Sequence, residues 1–310
     1  MLGEDLIRSY EILVIGDLCL DIDIKPGRRS RQVEIERIAI IPSGSAGNTA
    51  ITLKALEPSA GVALLYPSSG DHIDHILKNL ASRTGVEVIG IPGNGTACVV
   101  VNIVSSRGSR RAYTTKGPRI SRLEIPDIDL TGSRIAHLSG YIMELAPYTE
   151  ILEFIRRMRA DTTVSIDLFP RISEIPWSIV SEIIRKTNIV FGNTRELSSI
   201  GGGLGKAINK ILNLGAETVV AKMGSRGARL YRKGGSISCR HPRVEAIYTK
   251  GAGDVFNAAF LSIIYREGDM VEALERACYV AAQHVAGSGP LWDMMRKAGY
   301  LGYRGSQANI

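Results

Sequence analysis

Short, almost wholly apolar runs alternate along this chain with longer amphipathic stretches. Runs of strand length fall at Ile12–Gly16, Val62–Tyr66, Ile135–Ser139, Val164–Leu168, Ile189–Gly192 and Thr218–Lys222. Between several of them, apolar residues recur at helical spacing over Asn48–Leu56, Ile73–Ser82, Tyr148–Arg159 and Leu204–Leu214. Strands that are apolar at nearly every position are buried on both faces, and crossover helices join parallel neighbours. The pattern predicts an α/β fold with a mostly parallel central sheet between helical layers. Ligands of such sheets bind at the carboxyl ends of the strands. Asp17, Asp167, Asn193 and Gly224 fall there. Two segments break the alternation. Residues 20–42 alternate weakly and contain Pro26-Gly27. Residues 97–116 read as a hairpin, Ala97–Val104 and Arg111–Thr115, about the turn Ser106-Arg107-Gly108-Ser109. Leu274, Ala277, Cys278, Ala281, Ala282 and Val285 mark another helix, mainly core. The polar tail Tyr303–Ile310 is expected to fray.

With 310 residues, 45% of them hydrophobic, the chain is the size of one large domain, expected to span residues 1–310. No apolar run approaches the roughly 20 residues that cross a bilayer, and the charged start MLGEDLIRSYE lacks a signal-peptide core. A soluble cytoplasmic protein with no membrane partner is expected. Cys19, Cys98, Cys239 and Cys278 are far apart and form no CxxC pair, which reads as small buried hydrophobes rather than a zinc site or disulfides. The net charge is +7. Residues 25–37 carry five basic and two acidic side chains, and residues 107–122 carry six basic and none acidic. These windows supply 3 + 6 = +9, which leaves the remainder at 7 − 9 = −2, so the positive charge is local. Aromatic residues make up 6% of the chain and do not interleave with arginine. No nucleic-acid partner is therefore expected.

The chemistry concentrates in residues 249–260, TKGAGDVFNAAF. Phe256, Ala259, Phe260, Ile263 and Ile264 fall at helical spacing, which predicts a helix start near Asp254 with Gly251, Ala252 and Gly253 at its N-terminus. Amides there have no intrahelical partner and carry the positive end of the helix dipole, a ready site for a phosphate. Asp254 either caps this helix or takes a proton from an alcohol that attacks a phosphoryl group held by the loop. Three other segments bear on the choice. Far upstream lies Ser43-Gly44-Ser45-Ala46-Gly47-Asn48-Thr49-Ala50. Asn193-Thr194-Arg195-Glu196 follows an apolar strand, and Val219-Val220-Ala221-Lys222-Met223-Gly224-Ser225-Arg226-Gly227 follows the next.

In that order, these segments resemble the signatures of the ribokinase-like (PfkB) sugar and nucleoside kinases. Ser43 stands where members usually have glycine. The resemblance implies a ribokinase-like three-layer fold with a small β lid, built here from segments 20–42 and 97–116, and transfer of the ATP γ-phosphoryl group to a sugar-type hydroxyl. It implies an anion hole at Gly251, Ala252 and Gly253, with Asp254 as the base. Asp21, Gly44 and Asn48 would bind the acceptor. Asn193 and Glu196 would organise water and Mg²⁺ near the transferred phosphate, although the same pair also reads as a capping box. Lys222, Gly224 and Gly227 would approach the nucleotide, and Cys278 would touch the adenine pocket. Arg171 closes Asp167-Leu168-Phe169-Pro170-Arg171, where many members have D-x-N-x-R; it is a candidate for an acid or phosphate on the acceptor, or for a surface salt bridge. Members often have Asp in place of Tyr248 and Thr in place of Lys250, departures that bear on monovalent-cation activation and nucleotide preference. Lys250, beside the anion hole, is a candidate phosphate contact. The basic windows point to a sugar acid or sugar phosphate as acceptor; the alternative is a neutral sugar or a nucleoside, and a third reading is a silent binding member of the fold. Lids in this family often pair between subunits, so Val33–Ile41 is a candidate strand for a homodimer.

Two suggestive motifs carry less. Gly201-Gly202-Gly203-Leu204-Gly205-Lys206-Ala207 lacks the first glycine and the Ser or Thr of a P-loop and reads as a loop feeding a helix. His72 and His75 lie one helical turn apart without a third ligand, the pattern of a solvated helix start.

Overall fold

Each of the six apolar runs is a strand of one sheet. The computed structural model describes residues 8–26, 35–104, 110–125, 128–241 and 243–299. The first half of the chain forms β1 (Arg8–Ser9), β2 (Ile12–Ile15), β3 (Cys19–Pro26), β4 (Ile35–Ser43), α1 (Ser45–Leu56), β5 (Val62–Ser68), α2 (His72–Ser82), β6 (Glu87–Pro92), β7 (Cys98–Val104), β8 (Arg110–Thr114) and β9 (Ile128–Asp129). Then follow β10 (Ile135–Ser139), α3 (Ile142–Leu145), α4 (Tyr148–Arg156), β11 (Thr163–Asp167), α5 (Trp177–Ile184), β12 (Ile189–Asn193), α6 (Thr194–Gly201), α7 (Leu204–Leu214) and β13 (Thr218–Lys222). The chain continues as β14 (Ala228–Arg232), β15 (Gly235–Cys239), α8 (Ala252–Tyr265), α9 (Met270–Val285) and α10 (Pro290–Lys297).

The large sheet has the order β15-β14-β13-β12-β11-β10-β2-β5-β6. From β13 to β6 every pair is parallel, and β14 and β15 add an antiparallel hairpin at one edge. Successive side chains divide between two cores. Ile12 and Val14 of β2 pack with α1, α8 and α9, while Leu13 and Ile15 join the opposite layer with α4, α5 and α7. Burial on both faces is why these strands carry no polar alternation.

A second sheet, β4-β3-β7-β8, stands apart from the first. Its strands alternate. Cys19, Asp21, Cys98, Val100, Ala112 and Thr114 face a cavity. On the other face, register aligns Ile40, Ile22, Val101 and Tyr113 in one row and Ile38, Ile24 and Ile103 in the next. Ile38, Ile40, Ile103 and Tyr113 are exposed. Residues 27–34 of the first basic window, the turn 106–109 and the tail 303–310 lie outside the described residues.

The cysteines depart from expectation. Cys19 is bonded to Cys98 and Cys239 to Cys278, so no described cysteine is free. Separations of 79 and 39 residues conceal both pairs in the sequence. Parallel pairing of β3 with β7 sets Cys19 opposite Cys98, and α9 packs against β15 to bring Cys278 to Cys239. His72 and His75 are exposed on a helix whose N-cap is Asp71, and Gly202 ends α6 just ahead of α7.

Candidate active site

The site is built at the carboxyl ends of the parallel strands, from the turn that opens α1. Asp17, just past β2, accepts hydrogen bonds from the amides of Ser45 (2.7 Å) and Ala46 (3.3 Å) and from the Ser139 hydroxyl (2.8 Å). This carboxylate satisfies orphan amides at the helix N-terminus. Accordingly α1 begins at Ser45, three residues before Asn48, where the periodic stretch starts. Gly44 enters the turn at φ 95°, and a Cβ there would lie 2.6 Å from the Asp17 carbonyl oxygen. Only glycine fits. One helical turn apart, Ser45 and Asn48 project to the same side of α1.

They meet Asp254. The Ser45 hydroxyl donates to Asp254 Oδ1 and the Asn48 amide to Oδ2, both at 2.9 Å. α8 starts at Ala252, with Gly251 in left-handed geometry as its N-cap, and no side chain caps it. Capping is therefore not what the Asp254 carboxylate does. Burial pushes its pKa up to about 7; the Asn48 hydrogen bond opposes this, Asp167 adds to it, and Lys222 and Ser45 oppose it. The group is half-buried and lines the cavity. Behind the loop, His284 Nε2 lies 2.7 Å from the Lys250 carbonyl, so that nitrogen carries the proton; burial holds the imidazole below its usual pKa. Tyr248 packs edge-on against His284 and Trp292.

Lys222 closes the next wall. Its ammonium bonds both oxygens of Asp167 at 2.8 Å and Asn257 Oδ1 at 3.2 Å, while the Asn257 amide donates to Asp167 at 2.8 Å. Asn193 and Glu196 form a complete capping box at the start of α6. Burial raises the Glu196 pKa, against the Asn193 amide that bonds it. Arg171 pairs with Glu144, and Lys250 pairs with Asp21 on the small sheet. Burial lowers the Lys250 pKa to about 8, partly offset by Asp254.

One cavity of about 1150 Å³ gathers most of the predicted site: Asp21, Gly44, Asn48, Arg171, Asn193, Glu196, Lys222, Gly224, Lys250, Gly251, Gly253 and Asp254 all line it. Ala252, Gly227 and Cys278 do not. Gly227 serves packing, because a Cβ there would sit 2.1 Å from the Cys239 carbonyl oxygen. Cys278 is only 3% exposed and locked to Cys239. This removes it as a nucleotide contact. Sequence reasoning gave no role to Ser45, Asn257 or His284. Ser45 was recoverable from its spacing to Asn48; the other two are visible only once α8 and α9 are packed. Lys250, read as a phosphate contact, turns instead to Asp21.

A helix N-terminus facing a cleft, with a half-buried carboxylate of raised pKa beside it, is the working arrangement of a phosphotransferase that acts on a hydroxyl group. The chain belongs to the pfkB family of carbohydrate kinases, whose model matches residues 10–293. It is 26% identical to the 5-dehydro-2-deoxygluconokinase of Clostridium perfringens, over 93% of this chain and 90% of that one. It is 29% identical to the ATP-dependent ribose-1-phosphate kinase of Halopiger xanaduensis, over 81% and 83% of the two chains. Among solved structures, the ribokinase of Thermotoga maritima superposes with a TM-score of 0.74 over 93% of this chain and 98% of its own, at 22% identity. The fold is ribokinase-like.

Proposed function

We propose that this carbohydrate kinase transfers the γ-phosphoryl group of ATP to a hydroxyl of a sugar acid or sugar phosphate, with Asp254 as the base. The observation that carries the reading is the Asp254 carboxylate, raised to about 7, gripped by Ser45 and Asn48 and facing the cavity at the N-terminus of α8. A base near neutral pH is half-ionised and still strong enough to accept a proton. The acceptor hydroxyl gives its proton to Asp254, and its oxygen forms the new bond to phosphorus as the bond to the β-phosphate oxygen breaks and ADP leaves. The amides of residues 251–253 face the charge on the phosphoryl oxygens. Positioning and electrostatics supply most of the acceleration in such transfers.

Nucleotide-side groups come from the ends of β12 and β13 and the residues that follow them: Asn193 and, in α6, Glu196; Lys222 and, beyond β13, Gly224. Gly224, at φ 60° with open space around its Cα, leaves room for close approach. Among the described residues no group of three or more His, Cys, Asp or Glu forms a metal cage. Mg²⁺ keeps several waters and binds through phosphates rather than in an all-protein cage. Asn193 and Glu196 would hold it through water, and it would neutralise phosphate charge. The small sheet acts as the lid, excluding water from the transfer. Its exposed rows of isoleucine and Tyr113 support a second copy of this chain as partner, with β4 as the edge strand. No helix among the described residues is long and apolar enough to cross a membrane. ATP as co-substrate supports the cytoplasm as its place of action.

The anionic acceptor is supported by Lys116 and Arg119, which line the cavity and have no ion-pair partner among the described residues. It agrees with relatives named for a sugar acid and a sugar phosphate. Release of ADP from Mg-ATP across neutral sugars, nucleosides, sugar acids and sugar phosphates tests it. Highest kcat/KM on an anionic acceptor is expected. A neutral sugar or nucleoside preferred by about a hundredfold, roughly 2.8 kcal/mol of transition-state binding, would overturn the acceptor class.

A further inference from the structure

Asp21 carries an unresolved demand. It is 1% exposed, faces the cavity from β3, and one of its oxygens is taken by Lys250. The other, Oδ1, is buried and has no hydrogen-bond partner. A buried acceptor left unpaired is costly, and in a cavity wall it marks the place of a ligand donor such as a hydroxyl. Lys250 is as informative. It leaves the loop before α8 and crosses to the small sheet, away from the β12–β13 wall. Its backbone is fixed, because the Lys250 carbonyl is held by His284. An ammonium group has three donors, and the structure commits one of them, to Asp21. The neighbouring cations Lys222 and Arg171 are already engaged by Asp167 and Glu144.

We propose that Lys250 is a specificity-determining residue of the acceptor pocket: anchored on Asp21, its ammonium group binds a carboxylate or phosphate of the acceptor, while Asp21 Oδ1 takes one of that acceptor's hydroxyls. A neutral acceptor satisfies Asp21 but leaves the two remaining ammonium donors of Lys250 without an anionic partner. An anionic one satisfies both, and the loop that bears Lys250 leads directly into Gly251 and Asp254. Binding the anion therefore sets the hydroxyl beside the base. The inference rests on the kinase reading above.

The test compares wild type, Lys250→Met and Lys250→Arg on three acceptors of matched length: a neutral sugar, the corresponding sugar acid and the corresponding sugar phosphate. Kinetics is paired with calorimetric binding of the same compounds. For Lys250→Met, kcat/KM on the anionic acceptor should fall about 10- to 100-fold more than on the neutral sugar, mostly through KM, as expected for loss of a charge-assisted hydrogen bond. Lys250→Arg should recover part of the difference. Whichever of acid and phosphate shows the larger loss identifies the anion. An equal fall on all three acceptors would make Lys250 a neutralising partner of Asp21 and overturn the proposal, as would no fall at all. If no acceptor turns over, the kinase reading fails. Calorimetry then decides Lys250 by itself: a binding preference for the anion, lost in Lys250→Met, supports it, and no preference refutes it.

Discussion

Asp254 shows how far one residue can be read. Its place beside two glycines at a helix start left two roles open, cap or base. Ser45 and Asn48, more than 200 positions away, occupy both oxygens, and the carboxylate lines the cavity instead of capping the helix; the role of base is the proposal. Burial then moves its titration to about 7. As the proposed base Asp254 works ionised, so kcat/KM should rise with pH on an acid limb centred near 7 and level off above it; a limb at the ordinary carboxylate value would refute the environment assigned to it. The sign for stability is opposite. A carboxyl whose pKa is higher folded than unfolded adds stability below the unfolded value and loses that contribution as pH rises through about 7. Asp21 and Asn48 were legible from their motifs. The partner of Lys250 was not, because a flexible four-carbon side chain can reach in many directions and sequence does not fix which.

At the scale of elements, the strands were legible because burial on both faces leaves a continuous apolar run. The ends of helices were less so. Residue periodicity starts α1 at Asn48, but tertiary capping by Asp17 starts it at Ser45. Likewise, Gly251 carries α8 back to Ala252. The turn between β4 and α1 therefore links fold to site, since it aims Ser45 and Asn48 at Asp254. Gly44→Ala should cost about 1–3 kcal/mol, from its left-handed φ and the clash with the Asp17 carbonyl. Urea unfolding measures this, and kcat should fall as α1 shifts. Wild-type stability and rate in this variant would mean that the turn does not position the site.

Over the whole molecule, the alternating pattern predicted one central sheet, and the family signatures placed its ligand edge. Contacts between distant segments were hidden. Two disulfides join residues 79 and 39 positions apart, and nothing in the local spacing of the cysteines signals either. In the chain-entropy view, loops of this size are worth on the order of 4 kcal/mol each, by restricting the unfolded chain. The hairpin β14–β15 was also missed, though its Lys233-Gly234 turn was a usable signal. The exposed apolar rows of the small sheet exceed scattered surface hydrophobes and form one continuous face. If a second copy covers them, sedimentation should give twice the 33.6 kDa of one chain, and Ile40→Lys, which sets a charge in the outer row, should yield monomers. A wild-type monomer at micromolar concentration would contradict that assembly.

The central claim is that Asp254 takes the proton of the acceptor hydroxyl. Its most direct test is the rate of ADP release by Asp254→Asn on the best acceptor, at saturating Mg-ATP. The predicted result is a fall in kcat of about 10²–10⁴-fold with acceptor binding retained. Unchanged kcat would show that the base lies elsewhere.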